Sequence, residues 1–294
     1  MIISVSGGKG GTGKSTVSTN LALLLKEFAL VDLDVEAPND YILLNEELYG
    51  GIPVKSFKPR FNHTYCTGCG ECARVCNDSA IIMSREDKPV LLEELCSGCT
   101  ACKLVCPTDG AIEEDFKTVG FIYLNETKYG FPLVTGSLIE GEERTYRVVL
   151  ETRKFAMERF KNLIFDTSAG AGNSTFKSLE NSDLVVAVTE PTSFGARDLS
   201  KTLEITKYLR IPAVIVINKS GIGNKRPILE LSKKYGAPIV GEIPYSENIV
   251  KSYFFKRPVV TENLPEVEVF HQIKEEILGV LDGDSSGKWK GRSR

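Results

Sequence analysis

No cysteine lies outside the stretch from Cys66 to Cys106 in this chain of 294 residues. Histidine is nearly missing as well. The two present, His63 and His271, stand alone outside any motif, and a lone histidine reads first as a surface group, although His63 is close enough to the cysteines to tune them. No apolar run approaches the roughly 20 residues that span a bilayer, so no membrane insertion is expected. Neither sign of charge dominates: 36 Lys and Arg stand against 39 Asp and Glu, for a net −3. That balance argues against a nucleic-acid scaffold, though a local basic patch stays open. No export signal precedes the first apolar run, Ile2 to Val5, so the eight cysteines point to thiolates in a reducing compartment, expected to be the cytoplasm.

What is present is an ordinary globule, 42% hydrophobic and 26% charged. Its length allows one large α/β core with a small module, or two domains. Continuous apolar runs at Ile2–Val5, Ala29–Asp32, Leu163–Asp166, Leu184–Thr189, Ala213–Asn218 and Ile239–Ile243 predict buried parallel strands. Helical spacing at Ser15–Glu27, Ala196–Leu209 and Lys225–Tyr235 falls between them. The alternation predicts an α/β fold, a doubly wound and mostly parallel sheet whose ligand crevice opens at the carboxyl ends of the strands. Phe121–Asn125 and Tyr129–Val134 read as a short hairpin around Glu126–Lys128, Val148–Lys161 as a helix, and Val267–Leu281 as an apolar stripe that packs on the sheet.

One phosphate-binding motif stands out. Gly8-x4-Gly13-Lys14-Ser15 follows a strand and opens a helix, as a P-loop requires. Backbone N–H groups of Gly8, Gly10, Gly11, Thr12 and Gly13 would close on phosphate oxygens, helped by the positive helix N-terminus. Lys14 would reach the β- and γ-phosphates, Ser15 would ligate Mg²⁺, and Thr16 adds a donor toward the α-phosphate.

Phe57 to Lys117 breaks the βα pattern and repeats internally: CTGCGECARVCNDSAI is answered by CSGCTACKLVCPTDGAI. Both quartets have the spacing C-x2-C-x2-C-x3-C, the run that holds [4Fe-4S] clusters in bacterial-type ferredoxins, where the fourth cysteine serves the other cluster. One cluster is thus expected on Cys66, Cys69, Cys72 and Cys106, the other on Cys96, Cys99, Cys102 and Cys76. Pro107 follows Cys106 as in that pattern, whereas Asn77 follows Cys76. Paired zinc sites and a disulfide framework are the alternatives; zinc usually takes well-separated C-x2-C pairs rather than triplets with an offset fourth ligand. The expected organisation is a P-loop ATPase domain from 1–56 and 118–282, an inserted small α+β ferredoxin module at 57–117, and a polar basic tail at 283–294 expected to be disordered.

With its second loop lysine, Lys9, the motif GGKGGTGKST resembles the deviant Walker A ATPases, the family of MinD, ParA, the nitrogenase iron protein and the Mrp-type carriers. The resemblance implies a homodimer formed on ATP binding, with Lys9 reaching the partner's nucleotide. Val31-Asp32-Leu33-Asp34 resembles switch I, whose second aspartate positions the attacking water. Asp166 to Gly170 resembles switch II, whose aspartate supports Mg²⁺ through water and whose glycine senses the γ-phosphate. Asn218 resembles the adenine-reading position and Pro244 the segment flanking the base. Thr189-Glu190-Pro191-Thr192 also resembles a family segment, with no chemical role to assign to it. The catalytic set is then Lys9, Lys14, Asp34 and Asp166, with Asp32, Asp34 and Asp166 around Mg²⁺. The Mrp-type carriers and the nitrogenase iron protein bridge one cluster between subunits through cysteines on the core or C-terminal to it, and this chain has none there.

The expected function is an ATP-hydrolysing iron–sulfur protein that couples nucleotide state to electron transfer toward a partner metalloprotein. An assembly or carrier factor delivering a cluster or metal cofactor to an apo-target is the alternative, and a redox-sensing regulatory ATPase a further one.

Overall fold

The computed structural model describes residues 1–170 and 172–283; the tail from 284 lies outside the described residues. In chain order the elements are β1 (Ile2–Ser6), α1 (Lys14–Leu24), β2 (Ala29–Asp32), α2 (Asp40–Leu43), β3 (Ile52–Phe61), α3 (Glu71–Arg74), β4 (Ile81–Met83), β5 (Pro89–Leu91), α4 (Ala101–Val105), β6 (Ile112–Glu126) and β7 (Pro132–Leu138). They continue with α5 (Thr145–Arg159), β8 (Leu163–Asp166), α6 (Asn173–Leu179), β9 (Leu184–Thr189), α7 (Ser193–Leu209), β10 (Ala213–Ser220), α8 (Arg226–Tyr235), β11 (Ile239–Pro244), α9 (Glu247–Phe254) and α10 (Val267–Asp282).

The main sheet runs β11-β10-β9-β1-β8-β2-β7-β6-β3. From β11 to β7 every neighbouring pair is parallel, and β6 and β3 close one edge in antiparallel fashion. The central strands are apolar at almost every position because helices cover both faces. On one face, Ile3, Val5, Leu30 and Ile164 pack under α1 and α10 with Leu21, Phe270 and Ile273. On the other, α5 covers Val31, Val134 and Phe165 through Val148 and Val149, while α7 and α8 cover Val185 and Ile215 through Leu199, Leu203 and Ile228. Each such side chain contributes about 1.5–3 kcal/mol on burial. Gly241 allows α10 to lie directly on β11, since a Cβ there would stand 2.2 Å from Ile273 Cγ1.

The hairpin expected around Glu126–Lys128 exists, but its turn is Thr127–Phe131 and its first strand is far longer, starting at Ile112. Strands β3 and β6 pair from Ile52↔Ile122 through Ser56↔Lys117 and Phe57↔Phe116 to Phe61↔Ile112. The two chain passages at 57 and 117 therefore lie inside strands that continue the sheet outward. Alternating exposure on a sheet edge gives these strands no continuous apolar run, which is why they read as part of the cysteine segment. At their far end sit α3, α4 and the β4–β5 hairpin, whose small core of Phe57, Ile81 and Ile112 includes Cys72 and Cys102. The helix expected at Val148–Lys161 begins earlier, at Thr145.

Candidate functional site: a nucleotide cavity and two cysteine quartets

Strand β1 emerges between β8 and β9, and its carboxyl end delivers the loop Gly7–Gly13 directly onto α1. Gly11 (φ +83°) and Gly13 (φ +91°) take left-handed conformations that only glycine adopts freely. Gly13 also meets a neighbour: a Cβ there would lie 2.1 Å from Asn218 Nδ2. That amide donates to Thr12 O at 2.8 Å, and its Oδ1 accepts from Lys219 N at 2.9 Å. Lys219 Nζ donates to Gly11 O at 3.1 Å and pairs with Glu190 Oε1 at 2.6 Å. The Thr189–Thr192 segment thus acquires a role: Glu190 holds the lysine that holds the loop. A cavity of about 310 Å³ opens beside it, a volume suited to a small-molecule ligand. Gly10, Gly11, Gly13 to Thr16 and Asp34 line it together with Asn218, Pro244, Tyr245, Ile249, Val250 and Tyr253. Lys14 is buried at the phosphate end, and Lys9 projects outward over the exposed ring of Phe194, 5.8 Å from its centroid.

Behind the loop lies a group of buried carboxyls. Asp32 accepts from the backbone N–H groups of Asp34 (3.0 Å), Asn39 (2.9 Å) and Asp40 (3.1 Å), so it shapes the segment that carries Asp34. Burial, and then the charge of Asp166, raises its pKa despite those donors. Asp166 is raised by burial too, opposed by the Ser15 hydroxyl and the Lys14 charge. Asp34 is raised by burial, with Lys14 pulling it back. A further member, Asp40, was not found from sequence. An aspartate opening a short helix looks like a cap, yet this one is fully buried and raised well above the ordinary range by burial and then by Asp166 and Asp32. Both Asp40 carboxyl oxygens and Asp166 Oδ1 are buried, and the two carboxyls face each other, the raised Asp40 carboxyl serving as a hydrogen-bond donor to Asp166. Clustered carboxyl oxygens beside a serine hydroxyl and a phosphate loop are the hard, oxygen-only donors that suit Mg²⁺ and its water shell once they ionise. Gly170 (φ +104°) donates its N–H to Gly7 O at 3.4 Å, which places the end of the Asp166–Gly170 segment against the loop.

The model of the CobQ/CobB/MinD/ParA nucleotide-binding domain matches residues 3–259. The chain belongs to this family. It is 34% identical over 264 residues to an uncharacterized protein of Methanocaldococcus jannaschii, covering 86% of this chain and 89% of that one. An iron-sulfur cluster carrier protein of Pyrococcus horikoshii is 23% identical over 303 residues, 95% of this chain and 86% of that one. Among solved structures, the septum site-determining protein MinD of Pyrococcus horikoshii, complexed with Mg-ADP, superposes with a TM-score of 0.59 at 16% identity, over 97% of this chain and 99% of that one. The fold is therefore that of the MinD and ParA P-loop ATPases.

This MinD/ParA-family chain also carries its cysteines in two groups. Cys66, Cys69, Cys72 and Cys106 line one cavity with Phe61 and Ile112. Cys76, Cys96, Cys99 and Cys102 line a second with Phe57 and Ile81. All eight are free thiols. Among the described residues, no three thiol, imidazole or carboxylate side chains are close enough together to ligate one metal ion. The thiols instead stand around a space. Burial raises Cys72 and Cys96 and pushes Cys102 up to about 11, so a positively charged metal centre would be needed to hold them as thiolates. Backbone N–H groups already point at sulfur, from Gly68 to Cys66 Sγ at 3.4 Å and from Ala80 to Cys76 Sγ at 3.3 Å. His63 donates Nε2–H to Pro89 O at 3.1 Å and His271 is exposed on α10, so neither faces a quartet's cavity.

Proposed function

We propose that this protein is an ATP-hydrolysing iron–sulfur protein in which nucleotide state governs electron delivery to a partner metalloprotein. One observation carries the reading: the cysteine quartets hang from β3 and β6, strands of the same sheet whose β2 ends in Asp32 and leads to Asp34. ATP with Mg²⁺ would occupy the 310 Å³ cavity. Lys14 would neutralise the β- and γ-phosphates, Ser15 would ligate the metal, and Asp166, Asp40 and Asp32 would hold its water shell. Asp34 would orient the attacking water. Two subunits would close face to face on ATP, with the outward-pointing Lys9 of each stabilising charge on the other's γ-phosphate.

Residues 57–117 would act as a ferredoxin-like module. Cys66, Cys69, Cys72 and Cys106 fit one [4Fe-4S] cluster as donors; Cys76, Cys96, Cys99 and Cys102 fit the other. When bound, each would supply one-electron chemistry. The surrounding apolar side chains and N–H···S donors set how readily each site takes up charge. Two measurements test this. The protein reconstituted anaerobically should hold two clusters' worth of iron and sulfide, and it should dimerise with a non-hydrolysable ATP analogue but not with ADP. One cluster per chain, or a nucleotide-indifferent monomer, would overturn the reading.

A second reading is cluster delivery to an apo-protein. The name of the Pyrococcus horikoshii relative favours it, as does the exposure of Cys69 and Cys99. It requires cluster transfer to an apo-ferredoxin within minutes; clusters that stay on the donor exclude it.

A further inference from the structure

We propose that Arg144 is a positioning residue that links switch I to the Cys96 loop and makes the Cys76/Cys96/Cys99/Cys102 quartet the nucleotide-responsive one. This rests on the assignment of clusters and nucleotide given above.

Arg144 directly precedes α5 and its side chain is only 7% exposed. Its Nε–H donates to Cys96 O at 2.6 Å and its Nη2–H to Glu93 O at 3.1 Å, so one guanidinium clamps both ends of the turn that presents Cys96. Hydrogen bonds from a charged donor are roughly twice as strong as neutral ones. Glu142 forms an ion pair with the guanidinium, 3.6 Å from Nη1, and is shared with Lys117 at 3.3 Å. Glu142 offsets part of the guanidinium charge, while Nε–H and Nη2–H stay directed at the Cys96 turn, so the remaining positive charge lies beside the second quartet, where added negative charge on reduction would be stabilised.

The other end of the link is the nucleotide site. Thr145, the next residue, donates Oγ1–H to Glu36 Oε1 at 2.7 Å. Glu36 lies two residues beyond Asp34. The same loop is tied a second time, because Leu138 N–H donates to Val35 O at 2.7 Å. Residues 138–145 thus bridge switch I and the Cys96 turn without passing through β3 or β6. The turn itself lies flush on β3: a Cβ on Gly98 would meet Ser56 Oγ at 2.2 Å and Phe57 O at 2.9 Å. Movement of switch I on binding a γ-phosphate would be carried to the clamp rather than absorbed.

The first quartet has no such link among the described residues. Its loop is held by Lys88 Nζ on His63 O and Cys66 O, by His63 on Pro89 O, and by Asn62 on Glu113 Oε1, all within the cysteine region and its supporting strands. One site is coupled and the other insulated.

The test uses the reconstituted full chain, with cluster potentials followed by EPR during redox titration with ADP or a non-hydrolysable ATP analogue. Cys69→Ser and Cys99→Ser variants assign each signal to its quartet. The expected result is a shift in the oxidised-to-reduced ratio of the Cys99-containing site of about tenfold, or about 59 mV for a one-electron couple, with the Cys69-containing site unmoved. Arg144→Gln should reduce the shift to within about twofold and make that site harder to reduce in both nucleotide states, while Arg144→Lys restores part of the charge effect. Thr145→Val and Glu36→Ala leave the guanidinium in place and should lose only the nucleotide response. Equal shifts at both sites, no shift in the wild type, or a full shift in Arg144→Gln would overturn the proposal. Should the chain hold no clusters, the parent reading fails instead, and hydrogen exchange of residues 93–98 decides the link. Protection by the analogue in wild type and its loss in Thr145→Val supports it; identical exchange refutes it.

Discussion

The ion pair between Glu190 and Lys219 offers a quantitative check on how the phosphate loop is held. Lys219 spans 2.6 Å to Glu190 and 3.1 Å to Gly11 O, with side-chain exposures of 42% for the lysine and 13% for the glutamate. A fully exposed pair would contribute about 0–1 kcal/mol and breaking a fully buried one would cost about 3–5 kcal/mol. This half-shielded pair belongs near the lower figure, with a coupling of about 1 kcal/mol after screening. Glu190→Ala frees the ammonium from its anchor and loosens the Gly11 carbonyl, so ATP affinity should fall about fivefold, equivalent to that energy. The assay is a double-mutant cycle with Lys219→Met, read by equilibrium binding of a fluorescent ATP analogue and by urea unfolding. If Glu190 acts through Lys219, the double variant binds no worse than Lys219→Met alone, and the cycle returns about 1 kcal/mol. Strictly additive losses, within about 0.3 kcal/mol, would refute the strap.

Three further outcomes are expected. Gly13→Ala puts a Cβ 2.1 Å from Asn218 Nδ2 at φ +91°. The strain plus the lost amide bond to Thr12 O costs about 2–3 kcal/mol, so nucleotide binding should fall at least about thirtyfold in the same fluorescence assay. Asp32 and Asp166 are pushed up to about 8 and about 6, first by burial. Between about pH 4 and about pH 8 the nucleotide-free folded chain therefore binds more protons than the unfolded chain, and its melting temperature should fall as pH rises. Mg²⁺ with nucleotide should flatten that profile. Removing iron with a chelator should selectively expose residues 62–111 to protease while the 1–56 and 118–282 portion stays intact, because Cys72 and Cys102 belong to the module's small core; uniform digestion would show that the quartets carry no structural metal.

Most of the sheet was legible before the structure. The runs Ile2–Val5, Ala29–Asp32, Leu163–Asp166 and Leu184–Thr189 each form a central parallel strand, because burial on both faces leaves no polar alternation to confuse them. The phosphate loop was legible because its glycines and lysine must be contiguous to cup a phosphate. Strands β3 and β6 were not, since an antiparallel edge exposes alternate residues and its ends were masked by the cysteine repeat. Asp40 and Arg144 were invisible, and the role of Glu190 unreadable, for a common reason. Each acts on a backbone or side chain far away in sequence or hidden by burial: Asp40 beside Asp166, Glu190 through Lys219 onto Gly11, and Arg144 across 48 positions to Cys96. No local spacing encodes such contacts.

The central claim is that nucleotide state controls electron delivery. The direct measurement captures the partner metalloprotein with the ATP-locked Asp34→Ala form. It then follows, by stopped flow, the oxidation of dithionite-reduced wild-type protein by that partner with ADP, ATP or a non-hydrolysable analogue. The expected result is a transfer rate that differs by at least about tenfold between ADP and the ATP-type ligands, a difference of about 1.4 kcal/mol in activation free energy. Equal rates in all three nucleotide states would contradict the account.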